Sequence, residues 1–180
     1  MILQQHKIVF GGTMGAGKSA AIKALSDIGV VSTEAVNTDT QAHQKALTTV
    51  GIDYGEINLD DGTKIGLYGT PGQDRFDFMW SIVCNGAIGI ALLIDHSSTE
   101  RLKDLEFYLN AFEALGSNIV IGITHLDLTN DQMLKIYRDW MSIHKKQYPL
   151  FAIDARNKND VLLMIETLIV KLEIQSENVG

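Results

Sequence analysis

Residues 12–19 read Gly-Thr-Met-Gly-Ala-Gly-Lys-Ser, a complete G-x-x-x-x-G-K-S phosphate-loop motif. An apolar run over residues 7–10 precedes the motif and predicts a buried strand, and residues 19–25 predict the start of a helix. A strand followed by the loop and a helix is the context that such a motif requires. The sequence therefore predicts an α/β fold organised around a nucleoside triphosphate site.

The chemistry of phosphate binding explains the residue types of this loop. Glycine tolerates the tight turns that aim successive backbone N–H groups at phosphate oxygens, and the helix adds its positive N-terminal end. Lys18 is expected to neutralise the β and γ phosphates, and Ser19 offers a hydroxyl to Mg²⁺. A glycine-rich turn that binds nothing is the alternative, but it gives no packing reason for the lysine and serine. The predicted phosphate-binding residues are Gly15, Ala16, Gly17, Lys18, Ser19 and Ala20.

Length and charge limit the classes of protein to consider. The 180 residues, 46% of them hydrophobic, suit a single domain spanning residues 1–180. The net charge is −7, and no run of Lys or Arg is present. Nucleic acid and anionic lipid are therefore not expected as main partners.

The cysteine content and hydropathy predict a cytoplasmic protein. Cys84 is the single cysteine, so no disulfide can form within the chain, and it is expected to be a buried structural thiol. The longest apolar run, residues 87–94, is far shorter than the roughly 20 residues of a membrane-spanning helix. No membrane anchor is expected.

Strand-like and helix-like segments alternate along the chain. Asp61-Gly62 predicts a hairpin turn between two of the strands. The alternation predicts a three-layer α/β fold, with a six-stranded, mostly parallel sheet, one antiparallel edge strand and helices on both faces. The predicted strands are 7–11, 52–59, 63–69, 87–94, 118–124 and 149–153, and the predicted helices are 18–28, 75–85, 99–115, 130–145 and 158–175.

One segment does not fit this alternation. Residues 30–48 are polar and long for a connection in a compact domain. We expect a functional lid there, with a short helix around residues 41–47.

Five sequence boxes occur in the order and rough spacing found in small Ras-like GTPases, and the chain resembles that family over nearly its whole length. The third box, Tyr-Gly-Thr-Pro-Gly-Gln at residues 68–73, most resembles the bacterial branch of the MglA type. The resemblance implies a GTP/GDP-binding switch that uses Mg²⁺, with switch I at about 30–51 and switch II at about 70–85. The boxes are residues 12–19, 49–54, 69–74, 124–127 and 154–156.

The resemblance assigns roles at the phosphate end. Thr49 matches the switch I threonine that binds Mg²⁺ and reads the γ-phosphate, with Thr48 as the alternative. Gly72 matches the switch II glycine that senses the γ-phosphate, and Gln73 matches the glutamine that orients the attacking water. Lys18 and Gln73 are thus the expected catalytic residues, and Ser19 and Thr49 the expected metal ligands.

At the base end, Asp127 matches the aspartate that accepts two hydrogen bonds from guanine. Such a paired acceptor rejects adenine because adenine would leave the carboxylate unpaired. Ala155, within the box from Asp154 to Arg156, matches the residue whose N–H contacts the guanine O6. The usual Asn-Lys-x-Asp is replaced by Thr124-His125-Leu-Asp, and two interpretations of the histidine are open, stacking on the base or exposure in a loop.

Two positions depart from the family at the phosphate end. Gly69 stands where an aspartate normally holds a Mg²⁺-bound water, so Asp53 or Asp95 is expected to supply an outer-shell carboxylate. Asp95 also follows a hydrophobic strand as in P-loop ATPases, which supports an ATPase as the alternative function. Met14 replaces a common glycine beside the γ-phosphate, and no arginine lies between Lys18 and Gln73. Because an arginine finger is worth roughly 10³ to 10⁵ in rate, we predict slow hydrolysis that depends on a partner.

The predicted helix after Gln73 offers a surface for that partner. Phe76, Met79, Trp80 and Val83 share the face expected to pack on the sheet, whereas Phe78 and Ile82 lie nearly opposite. Either a partner or the third helix is expected to cover these two residues. The resemblance implies an effector, an activating protein for which a Roadblock-type homodimer is the candidate, and a monomer in the GDP state. A nucleotide-holding interaction module with little turnover is the remaining alternative.

Overall fold

The computed structural model describes residues 6–36, 49–72, 77–116, 118–126 and 131–177, without the side chains of residues 33–36, 49, 50, 131 and 175–177. Strands and helices alternate along these residues. The strands are β1 (His6–Gly11), β2 (Val31–Val36), β3 (Thr49–Asn58), β4 (Lys64–Gly69), β5 (Gly89–Asp95), β6 (Ile119–Thr124) and β7 (Leu150–Ala152). The helices are α1 (Lys18–Leu25), α2 (Asp77–Cys84), α3 (Arg101–Ala114), α4 (Lys135–Ile143), preceded by the 3₁₀ turn Asp131–Leu134, and α5 (Lys158–Glu177).

The seven strands that the structure describes form one mixed sheet in the order β2-β3-β4-β1-β5-β6-β7. β1 lies parallel to β4 on one side and to β5 on the other, and β6 and β7 continue the parallel part. β3 runs antiparallel to both of its neighbours. The carboxyl ends of β1, β4, β5, β6 and β7 therefore meet at one edge of the sheet, where open α/β folds bind their ligands.

The predicted α/β fold with helices on both faces is confirmed, but the predicted count of six strands is wrong. The additional strand, β2, falls within the segment predicted to be an irregular lid, and the antiparallel strand β3 is internal rather than at the edge. An edge strand has one partner and does not need a buried apolar face, so the sequence pattern of β2 does not reveal it. The short helix predicted around residues 41–47 lies outside the described residues.

The predicted hairpin turn at Asp61-Gly62 is confirmed. The N–H of Leu59 donates to the carbonyl of Thr63 at 2.8 Å, and Gly62 has a φ of 84°. The Asp61 carboxylate accepts a hydrogen bond from the N–H of Thr63 at 2.8 Å. An aspartate that bonds its own backbone two residues on, followed by glycine in the left-handed region, is a favoured turn chemistry.

Two apolar cores cover the two faces of the sheet. One core lies under α1 and α5, and the other lies under α2, α3 and α4. Full burial of each large apolar side chain contributes roughly 1.5–3 kcal/mol, so both layers hold the sheet firmly. Large buried side chains of the first core include Phe10, Ile22, Met164 and Leu168, and those of the second include Trp80, Tyr108, Phe112 and Tyr137.

Cys84 ends α2 as a free, buried thiol, as predicted. Burial raises the pKa of this thiol to about 11. Because the thiolate is the reactive form, we interpret Cys84 as a packing residue. Among the described residues, no helix combines the length and the hydropathy that crossing a bilayer requires.

Candidate functional site: the phosphate loop and the base-end cavity

The loop between β1 and α1 has the backbone of a phosphate cradle. Gly12, Gly15 and Gly17 have φ values of 132°, 83° and 102°, all in the region that favours glycine. α1 begins at Lys18, and the N–H of Ala21 donates to the carbonyl of Gly17 at 2.9 Å. The N–H groups of the first helical turn precede this bond and lack intrahelical partners, which suits an anion.

Lys18 lies inside the loop rather than above it. Its Nζ donates to the carbonyl oxygens of Gly12 at 2.7 Å and Thr13 at 2.6 Å. Burial lowers the pKa of Lys18 to about 8, and the nearby negative charge of Asp53 partly opposes that shift. A buried ammonium group held by two carbonyls is well placed to receive negative charge from a phosphate.

The carboxylate of Asp53 reaches the start of α1 from the antiparallel strand β3. The Ser19 hydroxyl donates to its Oδ2, and the Ser32 hydroxyl donates to its Oδ1 at 2.5 Å. Ser32 and Asp53 are directly paired residues of β2 and β3. Both carboxylate oxygens are thus fixed by hydroxyl groups from two different elements.

Gly69 ends β4 beside this carboxylate. A Cβ placed on Gly69 would lie 3.5 Å from the Cβ of Asp53 and 3.7 Å from its Oδ2. The carboxylate of Asp53 therefore lies beside the space into which a side chain at position 69 would extend. Of the two carboxylates that the sequence left open for this role, the structure brings Asp53 to Ser19.

The oxygen donors at this end suit Mg²⁺. Hydroxyl and carboxylate oxygens are hard ligands of the kind that Mg²⁺ takes, usually together with phosphates and water. No group of three or more His, Cys, Asp or Glu side chains suited to a metal occurs in the described part of the chain. The Ser19 hydroxyl and the Asp53 carboxylate fit a metal that takes its other ligands from a bound nucleotide and water. Thr49 opens β3, but its side chain lies outside what the structure describes.

Gly72 lies directly against the phosphate loop. Its carbonyl accepts a hydrogen bond from the N–H of Met14 at 3.0 Å. A Cβ on Gly72 would approach the Met14 N to 2.5 Å and the Lys18 Nζ to 2.8 Å, so only glycine fits there without displacement. The Met14 side chain itself is 72% exposed, and the structure places it at the surface of the loop. Gln73, the predicted water-orienting residue, lies outside the described residues.

A cavity of about 320 Å³ opens at the other end of the loop. Its size is at the lower end of the range for small-molecule sites. Two of the predicted boxes meet there with the start of α1, as the resemblance implied. The lining residues are Gly17, Ala20, Thr124, His125, Leu126, Ile153, Asp154, Ala155 and Arg156.

Thr124 joins the end of β6 to the phosphate loop. Its buried hydroxyl donates to the carbonyl of Ala16 at 2.8 Å, and the carbonyl of Ile94 is 3.3 Å away. The hydroxyl therefore bonds to one carbonyl of the phosphate loop and lies near another at the end of β5. Asp127, the residue predicted to read the guanine edge, lies outside the described residues.

His125 and Asp95 form a contact at the base end. The Nδ1 of His125 is 3.2 Å from Oδ1 of Asp95 and 3.0 Å from the hydroxyl of Thr124. Asp95 also accepts hydrogen bonds from the N–H and hydroxyl of Ser97 at 2.8 and 2.6 Å. Asp95 is thus engaged beside the base-end cavity, and this geometry does not support its use as the Mg²⁺-side carboxylate. With a φ of 55°, His125 is held in an unusual backbone conformation beside the cavity.

Asp154 and Arg156 build the opposite wall. The carboxylate of Asp154 accepts from Nε and Nη2 of Arg156 at 2.9 and 2.7 Å and from the N–H of Arg156 at 2.9 Å. These hydrogen bonds hold the pKa of Asp154 below its usual range. Ala155 is buried between them, and its Cβ lies 2.8 Å from the position of a Cβ on Gly17. The wall therefore packs on the phosphate loop only because residue 17 is a glycine.

One participant was missed from the sequence. Ser32 lies in the segment predicted to be a lid, and its role depends on pairing with Asp53 across β2 and β3. The available signal was the polar Ser32 beside the apolar Val31, as in the alternation of a strand. That signal is too weak to define a partner on another strand.

Comparisons with known proteins identify the family. A family model described as "Conserved hypothetical ATP binding protein" matches residues 29–175. The chain belongs to this family. The match begins after the phosphate loop, which the family model therefore does not cover. Uncharacterized protein MJ1339 of Methanocaldococcus jannaschii is 30% identical to this chain over 132 residues, covering 73% of this chain and 77% of its own.

Ras-related proteins match more of the chain at lower identity. Ras-related protein Rab-18 of Lymnaea stagnalis is 26% identical over 180 residues, covering 95% of this chain and 82% of its own. Ras-related protein Rab-27A of Sus scrofa is 28% identical over 165 residues, covering 81% and 75% of the two chains. These relatives support the placement of the chain among small Ras-like P-loop GTPases.

Proposed function

We propose that this family member is a guanine-nucleotide-binding molecular switch that hydrolyses GTP slowly to GDP and phosphate. The observation that carries the proposal is that residues of the base-end cavity contact the phosphate loop directly. The phosphate loop is joined to the base-end cavity through the hydroxyl of Thr124 and the packing of Ala155 on Gly17. One nucleotide can therefore contact both ends at once, within a single domain.

Guanine, rather than adenine, is the base that we propose, on the strength of the Ras-related relatives and of Asp127. The Rab relatives are Ras-related proteins by name, whereas the family description names ATP. Asp127 directly follows the cavity-lining residue Leu126. A carboxylate there pairs with the two donors on the guanine edge and is left unpaired by adenine. ATP binding remains the alternative because the family description names that nucleotide.

The residues suggest how hydrolysis would proceed. Lys18 binds the β and γ phosphates, and Gln73 orients a water for attack on the γ-phosphate. Mg²⁺ would be held by Ser19 and Thr49 together with the phosphates, and it would neutralise the charge that develops there. The sequence lacks an arginine between Lys18 and Gln73 that would supply a finger from switch I. Slow turnover without a partner follows from that absence.

The partner-facing surface is proposed to lie on α2, within switch II. Phe78 and Ile82 are 62% and 67% exposed, whereas Trp80 and Val83 are buried on the opposite face. A shallow cavity between α2 and α3 continues this apolar surface toward Phe107 and Leu115. A Roadblock-type homodimer is the activating partner that we propose, in line with an MglA-like branch, and an effector would read switch I and switch II.

The nucleotide that copurifies with the protein tests this proposal. We expect chromatography of the extracted ligand to identify GTP or GDP, and single-turnover hydrolysis to run well below about 1 s⁻¹, the lower end for ordinary enzymes. The Lys18→Ala variant is the control and is expected to hold no nucleotide. Adenine nucleotide on the wild-type protein would contradict the switch and favour the ATPase.

Two variants separate reading of the base from hydrolysis. Asp127→Asn is expected to shift preference from guanine toward xanthine nucleotides, because the amide reverses the hydrogen-bonding pattern. Gln73→Leu is expected to bind GTP normally and hydrolyse it more slowly. Full GTP affinity in the first variant, or an unchanged rate in the second, would remove that residue from its proposed role.

A further inference from the structure

Three adjacent strands place Ser32, Asp53 and Gly69 in one row beside the phosphate loop. Ser32 pairs with Asp53 across β2 and β3. The register of β3 on β4 pairs Tyr54 with Tyr68, so Asp53 and Gly69 follow as the next opposed positions. The row therefore runs from the edge strand to the strand that leads into switch II.

The carboxylate of Asp53 lies beside the end of β4. Gly69 has no side chain. A Cβ built there meets the flexible end of Ile22 at 3.3 Å and Asp53 at ordinary contact distances of 3.5 and 3.7 Å. The Asp53 side chain comes from the neighbouring strand and reaches the hydroxyl of Ser19 with Oδ2. A carboxylate thus stands beside the metal-side serine although the residue at the strand end cannot provide one.

The orientation of this carboxylate is fixed from the other side. Ser32 donates to Oδ1 at 2.5 Å, which leaves Oδ2 directed at Ser19. The competing carboxylate, Asp95, is engaged with Ser97 and His125 beside the base-end cavity. Among the described residues, Asp53 is the acidic side chain that contacts Ser19.

We infer that Asp53 supplies, from β3, a carboxylate for the Mg²⁺ that accompanies the nucleotide, and that Ser32 positions this carboxylate. Gly69, at the end of β4, has no carboxylate to offer there. The inference rests on the proposed function, because Mg²⁺ is bound together with the nucleotide. Carboxylates that accompany a metal without being its main ligands are needed for affinity, and their loss typically costs about 10–100-fold in metal binding.

The test is the dependence of nucleotide dissociation on free Mg²⁺. A fluorescent GDP analogue is loaded on the full chain, and its release is followed while free Mg²⁺ is varied. In Asp53→Asn, which preserves the side-chain shape, the Mg²⁺ concentration that half-maximally slows release is expected to rise by about tenfold or more. Release in EDTA is expected to change much less. Asp60→Asn, an equal loss of charge in the exposed hairpin turn, is the control and should match the wild type.

Two further variants keep the outcome decisive. Asp53→Ala combined with Gly69→Asp moves the carboxylate back to the strand end and is expected to recover part of the lost Mg²⁺ dependence. Ser32→Ala, a change on the edge strand, is expected to shift the Mg²⁺ dependence in the same direction by a smaller factor. It decides the question if the Asp53 variants fail to fold.

Each result separates the inference from the function on which it rests. Equal Mg²⁺ dependence in the wild type, Asp53→Asn and Ser32→Ala would overturn the inference and leave nucleotide binding intact. A wild-type chain that binds neither guanine nor adenine nucleotides would overturn the proposed function itself. Wild-type binding with release unaffected by Mg²⁺ would contradict the role of Asp53 and the proposed Mg²⁺ ligands Ser19 and Thr49, and would leave nucleotide binding itself intact.

Discussion

At the scale of single residues, Lys18 makes nucleotide binding sensitive to pH. Burial lowers the pKa of its ammonium group to about 8, from 10.5. Phosphate stabilises the charged form, so the pKa in the complex is higher than in the free protein. The affinity for the nucleotide is therefore highest below pH 8. It falls as the pH rises through 8, by up to about tenfold per pH unit for one proton.

Calorimetry in two buffers with different ionisation heats measures this directly. Binding at pH 8.5 is expected to take up part of a proton, and more than binding at pH 7.0 does in the same protein. Equal proton uptake at the two pH values would show that the Lys18 ammonium is already fully protonated in the free protein at pH 8.5.

At Gly72 and Gly69, the absence of a side chain shapes the site. A Cβ at Gly72 would meet the phosphate loop at 2.5 Å, and a Cβ at Gly69 would stand beside Asp53. The first glycine permits contact of the segment after β4 with the phosphate loop. At the second, the carboxylate near the strand end comes from Asp53 on the neighbouring strand β3.

At the scale of elements, the end of β6 is attached to the phosphate loop by one hydroxyl. Thr124→Val keeps the shape of the side chain and removes the donor to the Ala16 carbonyl. Leaving a buried carbonyl without its partner is expected to lower the free energy of unfolding by about 1–3 kcal/mol. Urea denaturation of the nucleotide-free protein checks this value.

Thr124→Ser is the matched control for this prediction. It keeps the hydroxyl and loses a methyl group, so it should retain the hydrogen bond to Ala16. A Thr124→Val protein as stable as the wild type, or less affected than Thr124→Ser, would show that the hydrogen bond does not stabilise the loop.

Helix α2 carries a prediction about the partner. Ile82→Ser removes an exposed apolar side chain from the proposed docking surface. Truncation of a hot-spot residue costs about 2 kcal/mol or more. With Ile82 at the centre of the proposed surface, stimulation of GTP hydrolysis by a Roadblock-type homodimer is expected to fall by about tenfold or more. The measurement is the hydrolysis rate at a fixed, subsaturating concentration of the partner.

A control on another helix tests whether the effect is local. Ile143 at the end of α4 is 76% exposed, and Ile143→Ser makes the same chemical change away from switch II. Because α4 is a different helix from α2, this variant should keep the full stimulation. Equal loss of stimulation in Ile82→Ser and Ile143→Ser would contradict the proposed surface. A wild-type protein that the partner does not stimulate would also contradict it.

At the scale of the whole molecule, the two cores hold the sheet whose carboxyl edge carries the site. Leu168 on α5 is fully buried against the sheet in the first core. Leu168→Ala removes buried methyl groups and leaves a cavity, so the free energy of unfolding is expected to fall by about 2–5 kcal/mol. The midpoint and slope of urea denaturation give the value.

Leu163 on the same helix provides the comparison. It is 55% exposed, and Leu163→Ala makes the identical chemical change outside the core. We expect a loss within about 0.5 kcal/mol for such a surface position. Similar losses in both variants would mean that the buried face of α5 has been assigned wrongly.

Most of the architecture was predictable because its signals are local. The alternation of strands and helices, the Asp61-Gly62 turn and the buried face of α2 all depend on residues close together in sequence. Strand β2 was not predictable in this way. Its pairing with β3 satisfies backbone groups and requires little from its side chains, so no apolar period marks it.

The phosphate loop and the α/β alternation follow from the amino-acid sequence alone, because motif spacing and hydrophobic period are properties of neighbouring residues. The tertiary structure was needed to show that Asp53, and not Asp95, contacts Ser19. It was also needed to show that the Thr124 hydroxyl donates to the phosphate loop. Those contacts join residues 30 or more positions apart along the chain. Strand order and register bring them together, and no local pattern specifies either.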